Sequence, residues 1–285
     1  MRVPSSRTSS PPGNDDRGIW VSGSNNKLLN VTAVESGEDG ILIEGYNNQV
    51  KDSYVKRAEM GIGIIGKNNT IITNTVENIE SSCLVVMRES VGNVLKNNTL
   101  RRCRFGVFSH GIGKTIIVDN KIHSTGMASI EVSGTVSDDP DEDDAPATDI
   151  RITGNRITKS GADGIVLSFA HNAVVASNVI VDSGSNGIVL DSSSTRCRFK
   201  SNTVRKCGKV GIWIKGADGN NVTSNKVSFC RTGISAGLGS NRNRLINNRA
   251  SNNTVFDLSD LSTNCGSNAW KGNTGKGNVA CTQKK

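Results

Sequence analysis

A short motif, glycine followed by alternating apolar residues, recurs along the chain. It reads Gly18-Ile19-Trp20-Val21, Gly40-Ile41-Leu42-Ile43, Gly61-Ile62-Gly63-Ile64, Gly164-Ile165-Val166-Leu167, Gly187-Ile188-Val189-Leu190 and Gly211-Ile212-Trp213-Ile214. Gly106-Val107 and Gly233-Ile234 are shorter copies, and Ser82-Cys83 and Ser129-Ile130 read as the same slot with serine for glycine. Successive starts lie about 21 to 24 residues apart, the length of one solenoid unit, except between Ser129 and Gly164, where an insertion intervenes. Alternation with period two marks strands that bury one face, and a glycine in every unit argues against helices. The pattern therefore predicts an all-β chain of many short strands.

A second marker runs in phase with the first. Asn74, Asn98, Asn120, Asn155, Asn178, Asn202, Asn225 and Asn248 each stand two residues before an apolar one. One asparagine per unit, in register, is what an internal amide ladder needs, because identical side chains stacked at strand spacing can bond to one another. The two markers together predict a single-stranded parallel β-helix of about ten to eleven coils, right-handed because parallel crossovers are strongly biased that way. The expected organisation is a flexible lead-in over 1–17, the helix over 18–256 with an acidic insertion at 135–147, and a C-terminal cap over 257–285.

Composition agrees with this picture. Of 285 residues, 35% are apolar and 4% aromatic, too few rings for a large globular core, while the 31 glycines suit many tight turns. No apolar run approaches the roughly 18 residues that span a bilayer. The first residues lack the apolar core of a signal peptide. Net charge is +8, although Asp138, Asp139, Asp141, Glu142, Asp143 and Asp144 cluster in the insertion, so the rest is more basic than the total. A basic surface favours polyanions such as acidic polysaccharide; nucleic acid is not the expected partner.

From Gly18 to Cys281 the glycine and asparagine repeats resemble the pectin-lyase-like superfamily of parallel β-helix proteins. Asp257-Leu258-Ser259-Asp260, Asn264-Cys265-Gly266, Trp270 and Cys281 resemble the C-terminal caps of secreted bacterial members. That resemblance implies a secreted or cell-surface protein with a Cys265–Cys281 disulfide in the cap. Cys103, Cys207 and Cys230 lie five residues after a ladder asparagine, where other units have Thr125, Ser160 and Ser183. They read as small inner-stack residues, expected, with Cys83, to stay reduced.

Outward positions on the glycine-led strands are where chemistry can sit. The first outward row reads Trp20, Leu42, Gly63, Leu84, Phe108, Glu131, Val166, Val189, Trp213 and Ser235. The second reads Ser22, Glu44, Ile65, Val86, His110, Ser133, Ser168, Asp191, Lys215 and Gly237. The first row is apolar for a solvent face, which points to a sugar platform, the chain's own N-terminal segment or an oligomer contact through that face. Reactive types gather at Arg88, Glu89, His110 and Glu131, on successive units beside the insertion. The candidate catalytic set is Arg88 to neutralise a uronate carboxylate, His110 to take the adjacent carbon-bound proton, and Glu131 to orient His110 or bind a cation. Trp20, Phe108, Asp191, Trp213 and Lys215 are candidate substrate contacts. Asp138, Asp139, Asp141 and Glu142 could hold calcium through oxygen ligands.

Family motifs fit only in part. Ser109-His110-Gly111-Ile112-Gly113 is similar to the Gly-His-Gly segment of polygalacturonases, but the preceding unit lacks their aspartate pair. The Asp-Pro-His-Glu motif of mannuronan epimerases and the Arg-x-Pro-x-x-Arg of pectate lyases are absent. The leading expectation is a carbohydrate-active β-helix, a lyase or epimerase on an acidic polysaccharide. The alternative is a non-catalytic scaffold that binds glycan or protein, including an adhesin-like module.

Overall fold

The computed structural model describes residues 17–87, 89–110, 113–135, 145–191, 193–262, 266–278 and 282. Arg88, the acidic residues 138–144, Cys265 and Cys281 lie outside them, so the calcium site and the cap disulfide rest on sequence alone.

The described strands pair in parallel, coil on coil. An eleven-stranded sheet runs from Lys27–Leu29 to Ala269–Lys271. A nineteen-stranded sheet carries two further faces, one of strands that follow the ladder asparagines and one of glycine-led strands. These two faces merge because Thr75–Val86 and Thr99–Ser109 continue around the corner between them. Parallel pairing continues through Phe256–Asp260, against Thr232–Ala236, and through Ala269–Lys271.

Each coil turns through left-handed residues spaced five apart. Asn172, Ser177 and Asp182 have φ of 57°, 56° and 67°, and each is followed by an inward-facing Ala173, Asn178 or Ser183. Asn, Asp and Ser tolerate this region better than most residues. Three-residue strands between these corners bury their central side chain. Val175, Phe199, Val222 and Leu245 stack in register in this way, all at most 1% exposed. Glycine recurs where coils approach most closely: a Cβ on Gly187 would run into Val204 Cγ1 and the Gly211 carbonyl oxygen.

The amide ladder is present and unbroken. Asn74 Nδ2 donates to Asn98 Oδ1 at 3.1 Å, and the same bond repeats through Asn120, Asn155, Asn178, Asn202, Asn225 and Asn248 to Asn273. A second ladder stands five residues earlier in each coil. Asn48, Asn69 and Asn93 form one end of it, and Asn220, Asn243 and Asn268 the other. Thr115, Ile150, Ala173 and Cys197 occupy the same position in the middle coils.

Register corrects the reading of one coil. Ile62 pairs with Leu84 and Ile64 with Val86, so Cys83, not Ser82, takes the glycine slot. Leu84 and Val86 therefore point into the core, and Val85 and Met87 hold the outward positions. A one-residue slip exchanges the two faces of a strand. The same register overturns the expectation that Cys83 and Cys103 stay reduced. They form a disulfide between neighbouring coils, with Cα atoms 5.7 Å apart. Cys197, Cys207 and Cys230 are free and buried. The hydrogen bond to Cys230, and then burial, hold the Cys207 thiol protonated. Peptide mapping without reduction is expected to recover Cys83 joined to Cys103, with Cys197, Cys207 and Cys230 alkylated only after unfolding. Closing a loop of 20 residues contributes about 3 kcal/mol, so reduction should lower the melting temperature by several degrees.

Candidate functional site

The outward face of the glycine-led strands holds every described candidate, but not in one place. Phe108 and Glu131 are register partners on adjacent coils, and Val166 follows Glu131 on the next. His110 lies two residues beyond Phe108 on the same side, about 8 Å diagonally from Glu131 between Cα atoms by strand rise and spacing. The His110 backbone is fixed by its N–H donating to the Val86 carbonyl at 3.0 Å. Its ring meets Phe108 edge-on with centroids 4.5 Å apart, and Nδ1 is 3.0 Å from the Ser133 hydroxyl. Ser133, on the strand of Glu131, thus helps to position the imidazole. In the sequence Ser133 stands in the second outward row, one coil after His110, with no motif of its own to mark it.

Glu131 is half-buried between Phe108 and Val166. Burial, and then the charge of Asp163, push its carboxyl above the usual glutamate range. Glu131 therefore keeps its proton to higher pH than a solvated glutamate, beside a histidine held by a hydroxyl. A proton donor and a proton acceptor with separated tendencies can carry acid–base chemistry.

The other candidates form two separate groups on the same face. Lys215 Nζ pairs with Asp191 across one coil at 3.2 Å and lies over the Trp213 ring, 5.7 Å from its centroid. This group is four coil steps from Phe108, roughly 19 Å at strand spacing. Trp20 stands four steps away in the opposite direction. It is 57% exposed, donates from Nε1 to Glu44 at 2.9 Å and has Arg17 over its ring. Only an extended ligand lying along the stack could touch all three groups.

The apolar row is less open than its sequence implies. Leu42, Val85 and Val189 are 2%, 7% and 5% exposed, and Phe108, Val166 and Trp213 are half-buried. Longer neighbours close over it: a Cβ on Gly63 would touch Leu42 and Met87. Glu89 does not join His110. It lines a shallow groove of about 750 Å³ with Glu44, Tyr46, Ile65, Lys67 and Val91, near the first coils.

At the start of that face Asp39 is buried, and one of its carboxylate oxygens lacks a hydrogen-bond partner. Burial dominates and lifts its pKa to about 6; Arg17, 3.7 Å away, opposes the rise, and Glu38, Glu59 and Glu44 add to it. A carboxyl raised on folding favours the protonated native state. Stability therefore falls as pH rises from the unfolded value of 3.8 through about 6. Asp39→Asn is expected to melt higher than the native protein at pH 7, with the difference gone by about pH 3.5, as thermal melts across pH would show.

Among the described residues, no group of three His, Cys, Asp or Glu side chains could hold a metal ion, and no helix is long and apolar enough to cross a membrane. The family model described as right-handed beta helix region matches residues 12–140. The model described as NosD, periplasmic copper-binding protein, matches residues 135–274. Copper favours imidazole and sulfur donors. The second matched segment has no methionine, one histidine, His171, whose ring packs edge-on against Phe169, and the buried thiols of Cys197, Cys207 and Cys230. Among the described residues no three such donors gather, so they do not assemble a three-ligand copper centre.

Solved structures resemble the whole stack at low identity. The A-module of the mannuronan C-5 epimerase AlgE6 from Azotobacter vinelandii aligns at a TM-score of 0.65 and 14% identity, over 91% of this chain and 78% of that one. An alginate lyase from Paenibacillus aligns at 0.56 and 11%, over 89% and 99%. The Dettilon tailspike protein aligns at 0.55 and 13%, and the match covers 90% of this chain but 59% of the tailspike. No curated protein matches the sequence. At these identities the likeness speaks to fold alone. Together with the parallel coils and the match to a right-handed helix region, it makes this chain a right-handed parallel β-helix repeat protein.

Proposed function

We propose that this protein is a carbohydrate-active β-helix, a lyase or epimerase that removes the carbon-bound proton next to the carboxylate of an acidic polysaccharide. The observation that carries this reading is the arrangement of His110, held by Ser133 and Phe108, one coil from the half-buried Glu131 on the same face. In the tautomer whose Nδ1–H donates to Ser133, the ring's basic lone pair lies on Nε2, the atom that would take the proton. Glu131 supplies a proton, to the opposite face of the carbanion in epimerisation or to the leaving oxygen in elimination. Arg88 stands in the sequence where it could neutralise the uronate carboxylate. Phe108 gives an apolar wall on which a sugar face can pack.

The spread of Trp20, Phe108 and Trp213 along one face suits a polymer better than a small molecule. That an alginate lyase and a mannuronan epimerase share the fold adds support. A location outside the cytoplasm accords with the Cys83–Cys103 disulfide and with the periplasmic family model. Both reactions share one measurable step. Incubation with polymannuronate, polyguluronate and polygalacturonate in deuterated water should deplete the C5 proton, seen by NMR. An epimerase replaces it with deuterium, whereas a lyase leaves C5 without hydrogen and raises ultraviolet absorbance from unsaturated sugars. Binding without loss of the C5 proton on all three polymers would favour a non-catalytic glycan-binding scaffold.

A further inference from the structure

The face formed by the strands that follow the ladder asparagines carries cations and few acids. Outward side chains of three successive coils enclose a groove of about 220 Å³, with Arg101, Lys121, His123 and Arg156 on its walls, Thr158 beside them and Ile122 at its base. Arg101 is already neutralised, because its Nε lies 2.6 Å from Glu77. Glu77 is itself saturated. It accepts from the Tyr54 hydroxyl at 2.5 Å and from Arg102 at 2.7 Å; the Tyr54 bond leads in holding it below the usual range. Lys121 and Arg156 differ. They are exposed register partners, and neither makes a salt bridge among the described residues. Like charges placed side by side at strand spacing repel. His123 Nδ1 is taken by Thr158 at 2.8 Å, which fixes the ring between the two cations' coils.

We infer that this groove binds an anionic polysaccharide, its carboxylates against Lys121 and Arg156, as a second surface separate from the His110 face. The stacked pair recurs higher on the same face, where Lys226 and Arg249 are also register partners. A chain lying along the coil axis could therefore meet paired cations twice, which a small anion could not. Single-stranded nucleic acid is disfavoured because it relies on aromatic stacking platforms, and the groove offers one imidazole. This inference does not depend on catalysis at His110.

Affinity electrophoresis of the full chain through gels holding polygalacturonate, and titration of the same polymer at rising salt, test it. Neutral dextran and single-stranded DNA serve as comparators. The Lys121→Ala/Arg156→Ala double variant is expected to bind polygalacturonate at least tenfold more weakly, with a shallower salt dependence. Arg198→Ala/Arg244→Ala removes the same charge from the eleven-stranded sheet and should change binding less than twofold. If the groove double variant melts lower than the native protein, Lys121→Gln and Arg156→Gln singly should each still weaken binding. Equal losses in both double variants, tighter binding of DNA than of polygalacturonate, or no retardation of the native chain would each overturn the inference.

Discussion

Asn178→Ala is expected to lower stability by about 2–4 kcal/mol, more than a surface change of similar size. Asn178 is fully buried. Its Oδ1 accepts from the Asn155 backbone N–H at 2.9 Å and from the Asn155 amide at 3.0 Å, and its Nδ2 donates to the Ile152 carbonyl at 2.8 Å and to Asn202 at 3.0 Å. Alanine strands a backbone donor, a backbone acceptor and two side-chain partners in the core, where water cannot replace them. Each unmet buried group costs roughly 1–3 kcal/mol, though the amides can shift to recover part of it. The penalty should be local to coils and therefore similar for Asn202→Ala, whose bonds repeat the pattern. Denaturant titration would measure both. An unchanged midpoint in either would mean that the ladder decorates the stack and does not hold it.

The repeat made the fold legible because the same physical demand recurs in every coil. Glycine is needed where coils meet, and asparagine where a buried turn must be satisfied, so both appear at a fixed period. The second ladder is not legible in the sequence because Thr115, Ile150, Ala173 and Cys197 interrupt it, and a pattern broken in the middle loses its phase. In the Ser82 coil, serine resembles glycine more than cysteine does, so the sequence suggests a register one residue away from the true one, in which Cys83 fills the slot. That slip hid the disulfide, since only the true register brings Cys83 against Cys103. At the candidate site, residue types were readable but partners were not. His110 and Glu131 stand out as chemistry, whereas the Ser133 hydroxyl gains meaning only from lying one coil above the imidazole. The wide separation of Trp20 and Trp213 from Phe108 follows from counting coils and limits any reading in which they share one small ligand.

The proton-abstraction reading stands or falls on His110. Removing a positioned general base typically costs 10²–10⁴-fold in rate. His110→Ala should therefore lower the rate of C5–H loss from the responsive polyuronate by at least about a hundredfold at saturating polymer. Ser133→Ala should lower it less, since the base remains and only its orientation is lost. Arg198→Ala provides the comparison, because Arg198 lies exposed on the eleven-stranded sheet, away from this group. The decisive measurement is the rate of C5–H loss with the His110→Ala variant beside that with Arg198→Ala, on protein of equal melting temperature. A loss of a hundredfold or more confined to His110→Ala is the predicted result, and equal rates in the two variants would contradict it.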